Sequence, residues 1–304
     1  AASDVYKRQL PPSAFKLADA EGNELSASEG IRVPAGDFSA KIMVKVGQLN
    51  SKDFPANKKY AIPLSITGAS NYSLIPSQRS AILLLNRSIL SSVAKVSGGE
   101  GIRIKPVGMH TKAEWTIQMS AIYSSLTRSN LTTAYLSNGT GGEFYTRISS
   151  TAGIQVKNGR DGDDTWTQIP LQAGKWLHIT YVHKDKKTTV YVNGKVQKVF
   201  ENSAITFGEN SMIVVGNSGY RNDYLREIRL WDKALTESEI NDYLYLPMDP
   251  ATPHLISYLP LSKEMETKDL KAPAGTENVT TKARIEYVEN VKFPADELVI
   301  VNQE

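Results

Sequence analysis

The sequence predicts an all-β protein of two β-sandwiches in tandem, with one short helix. Short segments in which apolar and polar residues alternate recur along the chain, and Gly, Asn and Pro separate them. Such period-two alternation is typical of strands with one buried face. The longest apolar run, Ala81–Leu85, has only the length of a strand. This density of strands and turn residues indicates antiparallel sandwiches rather than a parallel α/β sheet.

The composition fits a globular chain and excludes several kinds of site. The 304 residues, 40% hydrophobic and 22% charged, suffice for two domains. The net charge of +3 is not concentrated in one segment, so we expect no nucleic-acid partner. The lack of cysteine excludes disulfides, thiolate nucleophiles and Cys-type metal sites. No segment approaches the roughly 20 apolar residues of a spanning helix, so no transmembrane segment is predicted.

Residues 10–86 contain the first group of predicted strands. In "IRVPAGDFSAKIMVKV" a Pro-Ala-Gly turn precedes strictly alternating residues, and "KYAIPLSITGAS" and "RSAILLLN" follow. Pro63 predicts an edge strand or a bulge, because proline cannot donate a ladder hydrogen bond. The first two of these stretches resemble the N-terminal immunoglobulin-like domain of unknown function on many Bacteroidetes surface proteins. Only the back part of that domain matches, so the resemblance implies a partial immunoglobulin-like sandwich.

Residues 1–9 are predicted to be a sequencing or cloning scar. The stretch "DVYKRQ", Asp4–Gln9, resembles the in-frame translation of a common transposon-end adapter. On this interpretation the true chain starts near Leu10, in mid-domain. A signal peptide or a lipoprotein cysteine would then lie outside the sequence.

Residues 87–100 are predicted to be a linker, because they mix Ser, Gly and short apolar residues. Residues 101–304 return to closely spaced strands. The one helix is predicted in "WDKALTESEINDYL", where Thr236 and Glu239 form a capping box and Leu235 packs on Ile240. The helix is expected to end near Tyr245, because Pro247 follows closely.

Residues 174–196, "GKWLHITYVHKDKKTTVYVNGKV", predict a three-stranded meander. Leu177, Ile179 and Tyr181 share one face of its first strand. A charged turn follows, and Asn193-Gly194 is a strong signal for a type I′ hairpin. We therefore predict that the meander is part of the structural framework. Its sequence does not indicate which ligand the protein binds.

This stretch resembles the laminin-G and concanavalin A-like lectin/glucanase sandwich, in its pentraxin-like bacterial branch. There a Trp segment enters a strand, a charged turn follows, and the next strand ends in Tyr-Val-Asn-Gly. The stretches "EIRLWDKALTESEI" and "EWTIQMSAIY" resemble the same family's closing helix signature and its early strand. The resemblance implies a concanavalin A-like jelly roll over residues 101–304. Asp223 stands where the family has glycine and Arg226 where it has aspartate, which weakens any inherited calcium role.

The sequence offers no catalytic constellation, so we predict that the protein is not an enzyme. Retaining glycosidases need two carboxyls about 5–5.5 Å apart, and no Glu-x-Asp-x-Glu stretch occurs. No Gly-x-Ser-x-Gly elbow or His-Glu-x-x-His helix occurs either. His178 and His183 lie on opposite faces of one strand, so they cannot share a metal, and both are predicted to be surface residues.

Two loops carry the candidate binding residues. In "NGRDGDDTW", Asp161, Asp163 and Asp164 offer oxygens to a hard cation such as calcium, although a solvated turn explains the same residues. Trp166, Tyr220 and Tyr224 are candidates for a platform on which a sugar ring stacks. The candidates that read sugar hydroxyls beside them are Asn217, Asn222 and Asp223. Trp115, Trp176 and Trp231 are predicted to be core residues.

These expectations favour non-catalytic glycan binding at the bacterial cell surface, as an outer-membrane lipoprotein, or in the periplasm. The resemblance implies both the activity and the location. Two alternatives stay open. The chain is a structural or adhesive surface module that binds protein, or it is an accessory region of a glycoside hydrolase.

Overall fold

A computed structural model describes most of the chain. The described residues are 7–26, 30–50, 52–55, 58–85, 87–99, 101–107, 113–126, 135–137, 144–157, 162–201, 205–206, 211–216 and 220–302. The chain divides into two compact units, Ala1–Arg87 and Ser88–Glu304. Nearly all of the regular structure is strand, as predicted. Among the described residues no helix has the length and apolar character needed to cross a bilayer.

The first unit contains two small sheets. Its strands are β1 (Lys7–Gln9), β2 (Phe15–Ala18), β3 (Met43–Val46), β4 (Lys59–Ser65) and β5 (Ser80–Leu84). One sheet has the order β1-β4-β5, and β2 pairs with β3 in the other. Leu10, Tyr60 and Ile62 form the buried core of this unit. Three residues of the predicted scar form β1. Backbone hydrogen bonds can form with almost any sequence, so this pairing does not show whether the residues are native. The origin of residues 1–9 therefore stays a prediction.

Pro63 lies in β4, which is the middle strand of its sheet and not an edge strand. The pairing with β1 ends at Ala61, while β5 pairs as far as Ser65. At Pro63 the strand therefore has a neighbour on one side only. The prediction of an edge was wrong for the strand as a whole but right for the residues around the proline, where no second ladder requires its missing N–H.

The second unit is a sandwich of two antiparallel sheets. Its strands are β6 (Ile89–Gly98), β7 (Ile102–Ile104), β8 (Trp115–Ile122), β9 (Tyr135–Ser137), β10 (Phe144–Ser149), β11 (Gly153–Lys157), β12 (Trp176–Lys184), β13 (Lys187–Val192), β14 (Lys195–Glu201), β15 (Met212–Val215), β16 (Tyr220–Trp231), β17 (Leu255–Leu259), β18 (Val279–Thr280) and β19 (Arg284–Phe293). The larger sheet has the order β14-β13-β12-β8-β16-β6-β19, with β17 beside β16. The smaller has the order β11-β10-β9-β15-β7-β18. One continuous apolar core, which includes Ile117, Tyr181 and Phe144, lies between them.

The segment predicted to be a linker is instead strand β6. It pairs with β16 on one side and with β19 on the other, and Val93, Ala94 and Val96 are fully buried. The boundary between the units lies at Arg87 and Ser88, one residue after the end predicted for the first domain. The Ser- and Gly-rich composition suggested a loop, but the pairing of β6 with strands more than a hundred residues away makes it a central strand.

The meander is confirmed as strands β12, β13 and β14. Leu177, Ile179 and Tyr181 face the sandwich core, as the alternation predicts. Asn193 and Gly194 have φ of 51° and 75°, which is the left-handed geometry of a type I′ turn. The Asn193 side chain also accepts a hydrogen bond from the backbone N–H of His178.

The helix α1 spans Glu237–Asp242, and Thr236 caps it. The Thr236 side chain accepts from the backbone N–H of Glu239, and the Glu239 carboxylate accepts from the backbone N–H of Thr236. The predicted capping box is therefore present, although the helix ends earlier than expected. Leu235 and Ile240 belong to a second apolar cluster, which covers the outer face of the larger sheet together with Trp231 and Tyr258.

His183 is a core residue, so the prediction of a surface histidine was wrong. It is 1% exposed, and its ring stacks on Trp115 with 5.1 Å between centroids. The backbone N–H of Ile205 donates to Nε2 at 3.1 Å, so Nδ1 carries the hydrogen and donates to the Thr188 hydroxyl at 2.9 Å. Burial lowers the pKa of His183 to about 4.

We expect His183 to make the second unit sensitive to acid. Between pH 6.5 and 4 the unfolded chain binds a proton at this residue and the folded chain does not, so stability falls as the pH falls through this window. The shift corresponds to a loss of about 3 kcal/mol. Urea unfolding at pH 7 and at pH 4.5 measures this loss together with that from His178, whose pKa burial also lowers, to about 3. The loss should shrink in His183→Gln and persist in His254→Gln, because the His254 side chain is 57% exposed. Equal acid losses in both variants would contradict this assignment.

Candidate functional site

An open pocket of about 650 Å³ lies at one side of the sandwich. Its lining residues are Thr151, Ala152, Asp163, Asp164, Gln168 and Lys198. They come from the β10–β11 turn, from the loop after β11 and from β14. Strands β11 and β14 are outermost strands of the smaller and the larger sheet. The pocket therefore forms where the loop bridges the edges of the two sheets.

Backbone pairing holds the loop against the smaller sheet. The N–H groups of Thr167 and Gln168 donate to the carbonyls of Ile154 and Ala152 at 2.8 and 2.9 Å. Gly153 permits this close approach, because a Cβ atom there would lie 2.2 Å from the Thr167 hydroxyl. Its φ of 78° is also a conformation that glycine adopts at little cost. The inner wall of the pocket is thus fixed by the backbone.

The outer wall of the pocket is a single 3-10 turn, Asp163–Thr165. Lys198 donates from Nζ to the carbonyls of Asp164 and Trp166 at 2.8 and 2.7 Å. Gln168 donates from Nε2 to the carbonyl of Asp163 at 2.9 Å. Lys198 therefore connects the turn to a strand of the opposite sheet, and Gln168 connects it to the rest of its own loop.

Polar groups of the pocket are reachable from solvent. The side chains of Thr151, Asp163, Asp164 and Gln168 are exposed, and that of Lys198 is half-buried. Carboxylate and amide oxygens accept hydrogen bonds, and the threonine hydroxyl both donates and accepts. The arrangement suits a ligand that presents several hydroxyl groups.

The calcium prediction is only partly covered by the described residues. Asp163 and Asp164 lie together at the pocket, whereas Asp161 lies outside the described residues. Within the described ranges, no group of three or more His, Asp or Glu side chains is placed to hold a metal ion. Two carboxylates alone supply fewer oxygen ligands than a calcium ion requires. Coordination of calcium by Asp161, Asp163 and Asp164 together therefore stays a prediction.

Trp166 lies beside the pocket but faces the interior. It is 5% exposed, and it forms an isolated β-bridge with Gln155 of β11. The prediction of a stacking platform requires an exposed ring face, so the structure corrects it for this residue. The 3-10 turn leaves Asp163 and Asp164 exposed, whereas Trp166, which follows the turn, is buried.

The second predicted binding loop contains Asn217, Tyr220, Asn222, Asp223 and Tyr224. From Tyr220 onward it is not a loop but part of strand β16. Asn217 lies outside the described residues, and the Tyr220 side chain is not described. Asn222 is exposed, with a φ of 62° at a bulge. Asp223 is 1% exposed and accepts hydrogen bonds from the backbone N–H and the hydroxyl of Ser124. Its role is therefore structural. Tyr224 is half-buried.

The departure from the family pattern at Arg226 is explained by packing. Arg226 is fully buried, and its guanidinium lies over the Phe293 ring, 4.1 Å from the centroid. Its Nη1 donates to the Tyr245 carbonyl at 2.8 Å. Glu227 has a φ of 55°, at a bulge that places its carboxylate beside Arg229. This buried charged cluster anchors the segment after helix α1 to the larger sheet.

Sequence reasoning missed Lys198, Gln168 and Thr151. Lys198 looks like an ordinary polar residue of a strand, and Gln168 and Thr151 belong to no motif. Nothing local to these residues indicates that they meet. Only the pairing of distant strands brings them to one pocket.

The second unit contains a concanavalin A-like jelly roll. A family model described as the concanavalin A-like lectin/glucanases superfamily matches residues 97–241. This confirms the fold expected for the second unit, in a matched region that includes the whole pocket. No curated protein matches the chain in sequence.

Solved structures with a similar fold are distant in sequence. One is a protein from Bacteroides ovatus with the provisional description of a carbohydrate binding protein; it is 17% identical, with a TM-score of 0.54, over 97% of this chain and 84% of that chain. A heptameric pentraxin from Limulus polyphemus is 12% identical, with a TM-score of 0.43, over 66% and 94%. Domain 4 of an extracellular arabinanase from Geobacillus stearothermophilus, in complex with arabinotriose, is 16% identical, with a TM-score of 0.39, over 60% and 86%.

Proposed function

We propose that this protein binds carbohydrate without catalysis, and that the pocket between the loop and β14 is its binding site. The observation that carries the proposal is the pocket itself. Its volume of about 650 Å³ lies within the range of roughly 300–1,000 Å³ that is typical of small-ligand sites. Its exposed polar side chains match the hydroxyl groups of a saccharide.

The fold supports the proposal. The pocket lies on a concanavalin A-like sandwich, and the Bacteroides ovatus protein with a similar fold is provisionally described as carbohydrate binding. The bacterial cell surface or the periplasm is the location that we propose with this function, and a glycan or polysaccharide is the partner.

The position of the carboxylates favours binding over hydrolysis. A glycosidase places two carboxyls on either side of the scissile bond. Asp163 and Asp164 are consecutive residues of one turn, so they form one wall of the pocket. In the part of the chain that the structure describes, the other lining residues are Thr151, Ala152, Gln168 and Lys198, and none of these carries a carboxylate.

A glycan array with the full chain tests the proposal. We expect binding to at least one of the plant, mucin or yeast glycans on the array. Asp163→Asn should weaken that binding roughly ten- to a hundredfold, because a hydrogen bond to a charged group contributes about 1.5–3 kcal/mol. Titration calorimetry with the bound glycan measures the change.

The matched control is Asp185→Asn, which removes the same charge at an exposed turn between β12 and β13. Its affinity should equal that of the unmodified protein. Equal losses in both variants would mean that net charge, and not the pocket, determines binding. A chain that binds none of the three glycan groups would contradict the proposed function.

A further inference from the structure

Among the described residues that line the pocket, Lys198 is the one cationic side chain. A lysine in a sugar site has two possible roles. It can attract an anionic ligand such as a uronic or sialic acid, or it can hold the protein in shape. The two roles predict different ligands, and the hydrogen bonds of Lys198 distinguish between them.

The ammonium group of Lys198 is directed at the protein. Two of its three donors are bound to the carbonyls of Asp164 and Trp166, at 2.8 and 2.7 Å. The Nζ atom also lies 5.0 Å from the centroid of the Phe200 ring, which stabilises the cation where it stands. A lysine placed for an anionic ligand would keep these donors for the ligand.

The two carbonyls belong to the turn that forms the outer wall of the pocket. The turn's own backbone hydrogen bonds, from the N–H groups of Thr165 and Trp166 to the carbonyls of Gly162 and Asp163, are long at 3.2 Å, and one short bond joins the Thr165 hydroxyl to the Gly162 carbonyl at 2.6 Å. Long bonds in an exposed 3-10 turn stabilise it weakly. The bonds from Lys198 are shorter, and they reach across from the edge of the opposite sheet.

We propose that Lys198 is a positioning residue that holds the 162–168 loop in its binding shape, and that the pocket consequently selects uncharged saccharides over anionic ones. This inference rests on the proposed carbohydrate binding. It adds the class of ligand and the residue that maintains the site.

The remaining polar groups support this selectivity. Gln168 lines the pocket and donates an amide N–H to the Asp163 carbonyl, and its side-chain oxygen is an acceptor. The Asp163 carboxylate is an acceptor as well. These groups therefore offer acceptors with which saccharide hydroxyls can pair. A ligand carboxylate would meet the like charge of Asp163 instead.

Hydrogen exchange on the full chain, without ligand, tests the positioning role. In Lys198→Met we expect the Thr165 and Trp166 amides to exchange roughly tenfold faster, since two hydrogen bonds to the loop are lost. Lys198→Arg should restore slow exchange, because a guanidinium can donate to both carbonyls. Lys195→Met removes an exposed lysine from the same strand and should leave the loop unchanged. Unchanged exchange in Lys198→Met would overturn the positioning role.

Matched glycan pairs test the selectivity. The probes are oligogalacturonate and its methyl ester, and sialylated and desialylated lactosamine, on the array used for the proposed function. We expect the neutral member of each bound pair to bind at least roughly tenfold more tightly. Equal or tighter binding of the anionic member would overturn the inference and leave carbohydrate binding intact. Binding of no glycan at all would contradict the proposed function, while hydrogen exchange would still decide the role of Lys198.

Discussion

Replacing Glu227 with glutamine is expected to lower the free energy of unfolding of the second unit by about 3–5 kcal/mol. The Glu227 carboxylate is 3% exposed and accepts from Arg229 Nη2 at 2.6 Å and Nε at 3.2 Å. The Tyr258 hydroxyl donates to it at 3.0 Å, and Arg226 Nη2 lies 3.6 Å from it. Glutamine keeps the shape of the side chain but leaves two buried guanidinium groups without a counter-charge.

Chemical unfolding followed by tryptophan fluorescence measures this loss, because all four tryptophans lie in the second unit. The control is Glu289→Gln. Its partner is Lys263, and both side chains are about half exposed. A pair in contact with water contributes at most about 1 kcal/mol. A loss in Glu227→Gln as small as that of the control would show that the buried cluster does not anchor the segment after helix α1.

Replacing Trp166 with alanine is expected to lower the free energy of unfolding by about 3–5 kcal/mol, because the removal of a buried indole leaves a large cavity. Trp166 is 5% exposed, so the loss should appear without ligand. Trp166→Phe should cost much less, since a phenyl ring fills most of the space. Fluorescence from Trp115, Trp176 and Trp231 still reports unfolding in both variants.

This experiment separates the two interpretations of Trp166. A buried framework residue changes stability in proportion to the volume removed. A stacking platform changes ligand affinity and leaves stability nearly unchanged. If Trp166→Ala is as stable as the unmodified protein but fails to bind glycan, Trp166 is a stacking platform and not a framework residue.

Local sequence signals predicted the secondary structure well. The alternation of β12 and β13, the Asn193-Gly194 turn and the Thr236–Glu239 capping box all appear as expected. Each of these features depends on residues within about five positions of one another, so the sequence contains the whole cause. The all-β fold class was also predictable, because the alternation of apolar and polar residues that indicates strands is a local pattern.

The candidate site was predicted only in outline. The sequence indicated the acidic turn, and Asp163 and Asp164 do line the pocket. It gave no indication of Lys198, which the chain places 34 residues after Asp164 and the fold brings into hydrogen-bond contact. The sequence also led to the prediction that Trp166 is an exposed stacking platform. The residues around a tryptophan that follows a polar loop do not indicate whether its ring points outward or inward.

The sequence by itself determined that this protein is built from antiparallel strands, where its turns lie and how its one helix is capped, because those features are decided by neighbours along the chain. Only the tertiary structure decided that residues 89–98 are a central strand, that His183 and Trp166 are buried and that Arg226 packs on Phe293. The physical reason is that burial and partners depend on strands far apart in sequence. A side chain's role follows from which sheet lies against it.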